Sequence, residues 1–233
     1  PMITDPSGCG RFHGALLLGK TKNDTQRAIG IIVVYAPVPS GHCANWMSDR
    51  LAGKNQQDPN IALIRDIASQ MSLHAHPDTT WIICGDLNCR LRGPEKSASR
   101  TKHQLEWKEL MAKFDLDLFT DPDANTCYPS VGMPSQIDHV LASRTLIDND
   151  VIQNAQTIDY FAKQGTQDRM AHTAHAILLF DLKASNWLSA PLTTHKTNKP
   201  RPRTLMFKNK AQRKQYRDIL EDLELQHEEN GGK

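Results

Sequence analysis

The chain places a carboxylate and a carboxamide two residues apart at the end of an apolar run, Trp81-Ile82-Ile83-Cys84-Gly85-Asp86-Leu87-Asn88. The run reads as a buried strand, in which residues two apart point to one side, so Asp86 and Asn88 are expected to face one pocket at the strand's carboxyl end. Open α/β sheets tend to bind their ligands there. An Asp able to take a proton from water, beside an Asn able to fix a phosphoryl oxygen or the Asp itself, suits phosphodiester hydrolysis. The same four letters also occur in ordinary turns, where Asp and Asn accept left-handed backbone angles, so both readings stand at this point.

Three further segments share the pattern of an apolar strand carrying a polar, chemically capable residue. They are Val33-Val34-Tyr35-Ala36-Pro37 upstream, then Ser135-Gln136-Ile137-Asp138-His139-Val140-Leu141, then His172-Thr173-Ala174-His175-Ala176-Ile177-Leu178. Asp138 sits in an otherwise apolar strand and needs a partner, because a buried unpaired carboxylate is expensive. His175 precedes a strand and is expected to project from its mouth, either as a general acid or electrostatic group or as a hydrogen-bonded edge histidine.

In order and spacing these segments resemble the endonuclease/exonuclease/phosphatase family, and more narrowly the apurinic-type endonuclease domain of non-LTR retrotransposons. The resemblance runs from about Ile31 to Leu182. It implies a DNase I-like four-layer α/β fold, a two-sheet β-sandwich flanked by helices, here amino-terminally truncated. It also implies that Asp138 orients His175 beside the scissile phosphate, that Asp86 positions or deprotonates the attacking water, and that Asn88 supports that Asp and binds phosphate. Tyr35 corresponds to a phosphate-contacting tyrosine, although an aromatic closing a strand before a proline turn reads equally well. Asn125 and Tyr128, in Asn-Thr-Cys-Tyr-Pro, fall near a segment lining the nucleic-acid groove; the correspondence is loose, and core or turn roles are the first expectation.

Two departures bear on the metal. The family's last motif is usually Ser-Asp-His, whereas this chain has Thr173-Ala174-His175, and Ala174 cannot ligate a cation. The family's upstream Asn and metal-binding Glu have no counterpart before Tyr35, as though the chain starts after them. Magnesium takes octahedral oxygen ligation, often through one or two carboxylates, waters and substrate phosphate. The expected metal ligands are therefore undefined, magnesium binding is expected to be weak or absent, and the chain is expected to be an impaired DNA endonuclease. The alternatives are a degenerate nucleic-acid-binding remnant and another phosphoesterase of the superfamily, such as a phosphatase. Missing initial strands would leave sheet edges and apolar faces open to aggregation or to a partner.

The elements that must position these residues are readable in outline. Strands are expected over Phe12–Leu18, Ala28–Ala36, Thr80–Cys84, Gln136–Ala142, Val151–Tyr160 and Ala176–Leu182, the fifth weakly marked. Asp58-Pro59 is a helix start, a capping Asp before Pro at the first helical position. The stripe Ile61, Leu63, Ile64, Ile67, Ala68, Met71 follows it, and that helix should stop before Pro77. Leu105, Leu110, Met111 and Phe114 mark a second helix, and a short one is expected near Cys43. Alternating strands and helices indicate α/β architecture. The expected domains are 1–187 as the nuclease-like body, 188–207 as a basic linker and 208–233 as a charged tail whose helix covers Lys208 to Leu225.

The overall charge of +2, from 28 Lys and Arg against 26 Asp and Glu, hides an uneven distribution. From Lys196 to Arg217 there are basic residues and no acidic ones, and Asp218 to Glu229 is acidic. The basic run either grips a phosphate backbone or is a solvated surface. DNA is the expected partner, and the resemblance implies a reverse transcriptase domain in a longer polyprotein as a second. Five scattered cysteines without a CxxC pair argue against a disulfide framework or a thiolate zinc site, and for a reducing compartment. His74-x-His76 and His172-x-x-His175 lack a Cys or carboxylate to complete a tetrahedral zinc set. No apolar run reaches membrane-spanning length, so no membrane is expected. The cysteines and the resemblance together imply an intracellular, nuclear setting.

Overall fold

The computed structural model describes residues 1–21, 25–38, 58–76, 78–93, 98–129, 133–158 and 175–188. The short helix expected near Cys43, the tail helix from Lys208 and the residues Thr173 and Ala174 lie outside these. The chain divides into two compact units, Pro1–Leu192 and Thr193–Lys233, and all the described residues belong to the first.

Twelve elements follow one another in the described residues. They are β1 (Met2–Thr4), β2 (Phe12–Lys20), β3 (Gln26–Tyr35), α1 (Pro59–Leu73), β4 (Thr79–Asp86), α2 (Ala98–Lys113), β5 (Leu116–Leu118), β6 (Asp138–Ser143), α3 (Arg144–Asp148), β7 (Ile152–Ile158), β8 (Ile177–Leu182) and α4 (Ala184–Trp187). Six strands form one sheet in the order β1-β2-β3-β4-β6-β5, and β7 pairs with β8 in a second, two-stranded sheet. β3 and β4 run parallel, Tyr35 beside Asp86, while β4 and β6 run antiparallel, Asp86 opposite Asp138. The fold is a two-sheet α/β fold, as expected.

Strand alternation separates two cores. Ile32, Val34, Trp81, Ile83 and Leu141 face α1 and α2, meeting Leu63, Ile64, Ile67, Met71, Trp107 and Leu110. Their sequence neighbours Ile82, Val140 and Ala142 turn the other way, onto Val151, Ile152, Trp187 and Leu188, with Leu178, Phe180 and Leu182 of β8 partly buried there. The β7–β8 pair keeps Ile177 and Leu179 exposed. Gly30 makes room for this packing, because a Cβ there would overlap the Trp81 ring.

Local chemistry starts α1 where the sequence predicts. The Asp58 carboxylate accepts the N–H groups of Asn60 at 2.9 Å and Ile61 at 3.4 Å, and Pro59 opens the first turn. His103 of α2 reaches the same carboxylate at 2.9 Å, which joins the two helices and holds the Asp58 pKa below the usual range. A second polar knot ties β1 to α1. The fully buried Arg11 side chain contacts Asp5 at 2.7 Å and Asp66 at 2.5 Å. Burial alone would raise the Asp5 pKa, but Arg11 and Ser7 outweigh it and hold that carboxyl well below the ordinary range.

Candidate active site

The carboxyl end of β4 and the start of β6 lie side by side, and this brings Asp86 and Asp138 together. Both are buried. His175 arrives from the segment entering β8, its Nδ1 at 3.0 and 2.9 Å from the two Asp138 carboxylate oxygens. Facing a carboxylate, which only accepts, Nδ1 carries the proton and leaves Nε2 toward the remaining group. That group is Asp86, with Oδ2 3.9 Å from Nε2. The imidazole is about a third exposed.

Asn88 reaches Asp86 by a route other than the strand alternation predicted for it. β4 ends at Asp86, and Asn88 takes a left-handed backbone with φ of 47°. Its N–H donates to Asp86 Oδ1 at 2.8 Å, and its Nδ2 donates to Asp86 Oδ2 at 3.1 Å and to the Ala36 carbonyl at 2.6 Å. The turn chemistry and the chemical reading therefore occupy the same residues. Gly85 makes the turn possible: its φ is 130°, and a Cβ would overlap the Val34 carbonyl oxygen. Leu87 then donates its N–H to the Ile137 carbonyl at 2.9 Å, which ties the turn to the strand bearing Asp138.

Burial pushes the Asp86 pKa up to about 6, against the Asn88 N–H that stabilises the anion; the Asp138 charge adds to the rise and His175 opposes it. Burial likewise raises the Cys127 thiol, with Asp138 and Asp86 adding to the shift. Behind the site, the wholly buried His139 contacts the Cys89 carbonyl through Nε2 at 2.9 Å, and burial takes its pKa down to about 4.

The remaining predicted residues fall into two groups. Tyr35 is 60% exposed and registered with Asp86, at the mouth of the cluster. Asn125 and Tyr128 pair with each other, the tyrosine hydroxyl donating to the Asn125 carbonyl at 3.1 Å, as a turn would have it. The residue between them that matters is one that sequence reasoning misses. Thr126 is wholly buried, and its hydroxyl accepts the N–H groups of Ile137 and Asp138. A hydroxyl residue in a loop carries no periodic signal, so its role emerges only from the fold.

Asp86, Asp138 and His175 each offer an atom within 4.8 Å of the others, a grouping of the kind that can hold a metal ion. The donors are two carboxylates and an imidazole. The carboxylates are already engaged, by Asn88 and by His175 respectively. The two carboxylates are the oxygen donors that a hard divalent cation would take, whereas the imidazole is a nitrogen donor.

No family model matches the chain, and no curated protein does. Its structure is similar to that of the endonuclease domain of TRAS1, a telomere-specific non-LTR retrotransposon, with a TM-score of 0.46 and 12% identity over 78% of this chain and 67% of that one. It is also similar to the 3' phosphatase NExo from Neisseria bound to a product DNA hairpin, with a TM-score of 0.47 and 15% identity over 74% and 64%. For the Xenopus laevis APE2 catalytic domain the TM-score is 0.45 and the identity 14%, over 74% and 56%. The chain thus spans between 56% and 67% of the length of these three.

Proposed function

We propose that the chain is a metal-assisted phosphodiesterase, a retroelement-type DNA endonuclease of weak activity. It would nick nuclear DNA and belong with a reverse transcriptase domain in a longer polyprotein. The observation that carries this reading is the chain of contacts Asp138–His175–Asp86–Asn88 at one sheet mouth, with a 3.9 Å gap between Nε2 and the Asp86 carboxylate. A water at that gap can donate to the Asp86 carboxylate, which only accepts. Asp86, oriented by Asn88, takes a proton from water as that water attacks phosphorus in line with the scissile P–O bond, which breaks, the leaving oxygen taking its proton from solvent. His175, held by Asp138, donates to the phosphoryl oxygen when Nε2 is also protonated, which stabilises the charge of the transition state. Tyr35 at the mouth contacts the phosphate. Asp86 and Asp138 would hold a magnesium ion, which would neutralise phosphate charge. With Ala174 where the resembling family has an acidic residue, one carboxylate ligand fewer would hold that ion.

A plasmid-nicking assay with magnesium tests the reading. Weak nicking is expected, falling by about 10³-fold in His175→Ala, as for loss of a group aimed at transition-state charge. Ala174 also supports a second reading, a nucleic-acid-binding remnant. Retardation of DNA with no nicking at any magnesium concentration would establish that remnant and end the first reading.

A further inference from the structure

Thr126 belongs to no strand, yet it stands between the two sheets where Asp138 and His175 enter them. Its Oγ1 accepts the N–H of Ile137 at 3.0 Å and of Asp138 at 2.9 Å. Its carbonyl accepts the N–H of Ala176, the residue after His175, at 2.7 Å. The next residue, Cys127, bridges antiparallel to Ser135 on one side and to His175 on the other. Two consecutive residues therefore fasten the segment entering β6 to the segment entering β8. β6 lies in the six-stranded sheet and β8 in the two-stranded one, so this stretch sets the separation of the acid and the imidazole.

We infer that Thr126 is a positioning residue, a clasp that fixes the Asp138–His175 contact and, through it, the imidazole's tautomer and its aim at Asp86. The inference rests on the phosphodiesterase reading only for its effect on rate; the effect on tautomer follows from geometry alone. A hydroxyl oxygen can accept two N–H groups at once. Valine has the same shape and no acceptor, so Thr126→Val removes the partner of the buried Asp138 N–H and of the half-buried Ile137 N–H and frees the backbone of Asp138 to move. Serine keeps the oxygen.

Three measurements on the full chain decide it. Imidazole nitrogen NMR should show His175 held with its proton on Nδ1 in the wild type and in Thr126→Ser, and as a tautomer mixture in Thr126→Val. In nicking assays Thr126→Val should lose about 10²-fold in kcat with KM within about twofold, the signature of a misplaced group rather than lost binding. Thr126→Ser should recover most of that loss. Amide exchange in the wild type should show Ile137, Asp138 and Ala176 opening together, a result that does not need the valine variant to fold. A folded Thr126→Val with an unchanged Nδ1–H tautomer, or free-peptide exchange rates at those three amides, would overturn the clasp. A wild type that never nicks, with the tautomer mixture still appearing in Thr126→Val, would retain the clasp and discard the enzymatic reading.

Discussion

Burial acts on Asp86 and His139 in opposite senses, and each has a measurable consequence. Asp86 is held at about 6 when folded, against 3.8 for a free carboxyl, so between those values the folded chain binds more protons than the unfolded one. Its contribution to stability is fully present below the unfolded value and is lost as pH rises through about 6, on the order of 3 kcal/mol by pH 8. Asp86→Asn should therefore stabilise the fold by on the order of 1–2 kcal/mol at pH 8 and hardly at all at pH 4, since asparagine keeps one acceptor for Asn88. Urea midpoints at the two pH values test this; equal shifts at both would mean that the anion is not under strain. The same carboxyl must be ionised to take a proton, so the nicking rate should climb about tenfold per pH unit as pH rises toward about 6. His139 is depressed to about 4 from 6.5, with Nδ1 lacking a hydrogen-bond partner among the described residues. Here the unfolded chain binds the extra proton, so stability is present above 6.5 and lost as pH falls toward 4, by on the order of 3 kcal/mol. His139→Gln, which can still donate to the Cys89 carbonyl, should flatten that acid loss in urea titrations between pH 7 and pH 4.

At the scale of elements, the α1 start is joined to α2 by one carboxylate. Asp58→Ala removes the acceptor of two first-turn N–H groups and also leaves the buried His103 without that partner, so it should cost about 2 kcal/mol, the upper end for a helix cap. Asp58→Asn should recover much of it, and a thermal melt compares the two. The strength of this cap explains why the helix is readable: Asp-Pro before an apolar stripe is a purely local signal, and the helix ends at Leu73, short of Pro77. The long strands β2, β3 and β4 are readable for the same reason, each being an apolar run bounded by polar residues. β1 and β5 are not, because three-residue strands such as Leu116–Leu118 exist by pairing with a neighbour and carry no pattern of their own. The strand expected from Gln136 begins instead at Asp138, since Gln136 turns aside and donates through Nε2 to the carbonyls of Asp121 and Ala124. The grouping of Asp86, Asn88, Asp138 and His175 follows from motif order, but the geometry of Asn88 does not. Alternation predicts a shared face, whereas the left-handed turn after Gly85 supplies the contact. Thr126 is invisible in the sequence because its partners lie 11 and 12 residues away, with nothing periodic between them.

The whole molecule carries little net charge, +2, but nine Lys and Arg residues fall between Lys196 and Arg217 with no acidic residue among them. If the chain acts on DNA, the electrostatics of that run and of the site should separate cleanly. Phosphate contacts made by basic residues release counterions, and the slope of log affinity against log salt falls by about 0.9 for each contact removed. A chain gripping six or more phosphates loses about 10³-fold in affinity between 50 and 200 mM salt. Replacing the nine basic residues with glutamine should shrink that loss to about tenfold and weaken binding at low salt. His175→Ala removes at most one phosphate contact and should lower the slope by no more than about 0.9. Fluorescence anisotropy with a duplex oligonucleotide over a salt series measures both. An unchanged slope in the glutamine variant would assign the basic run to solvated surface and leave DNA engagement to the sheet mouth, where Tyr35 stands beside Asp86.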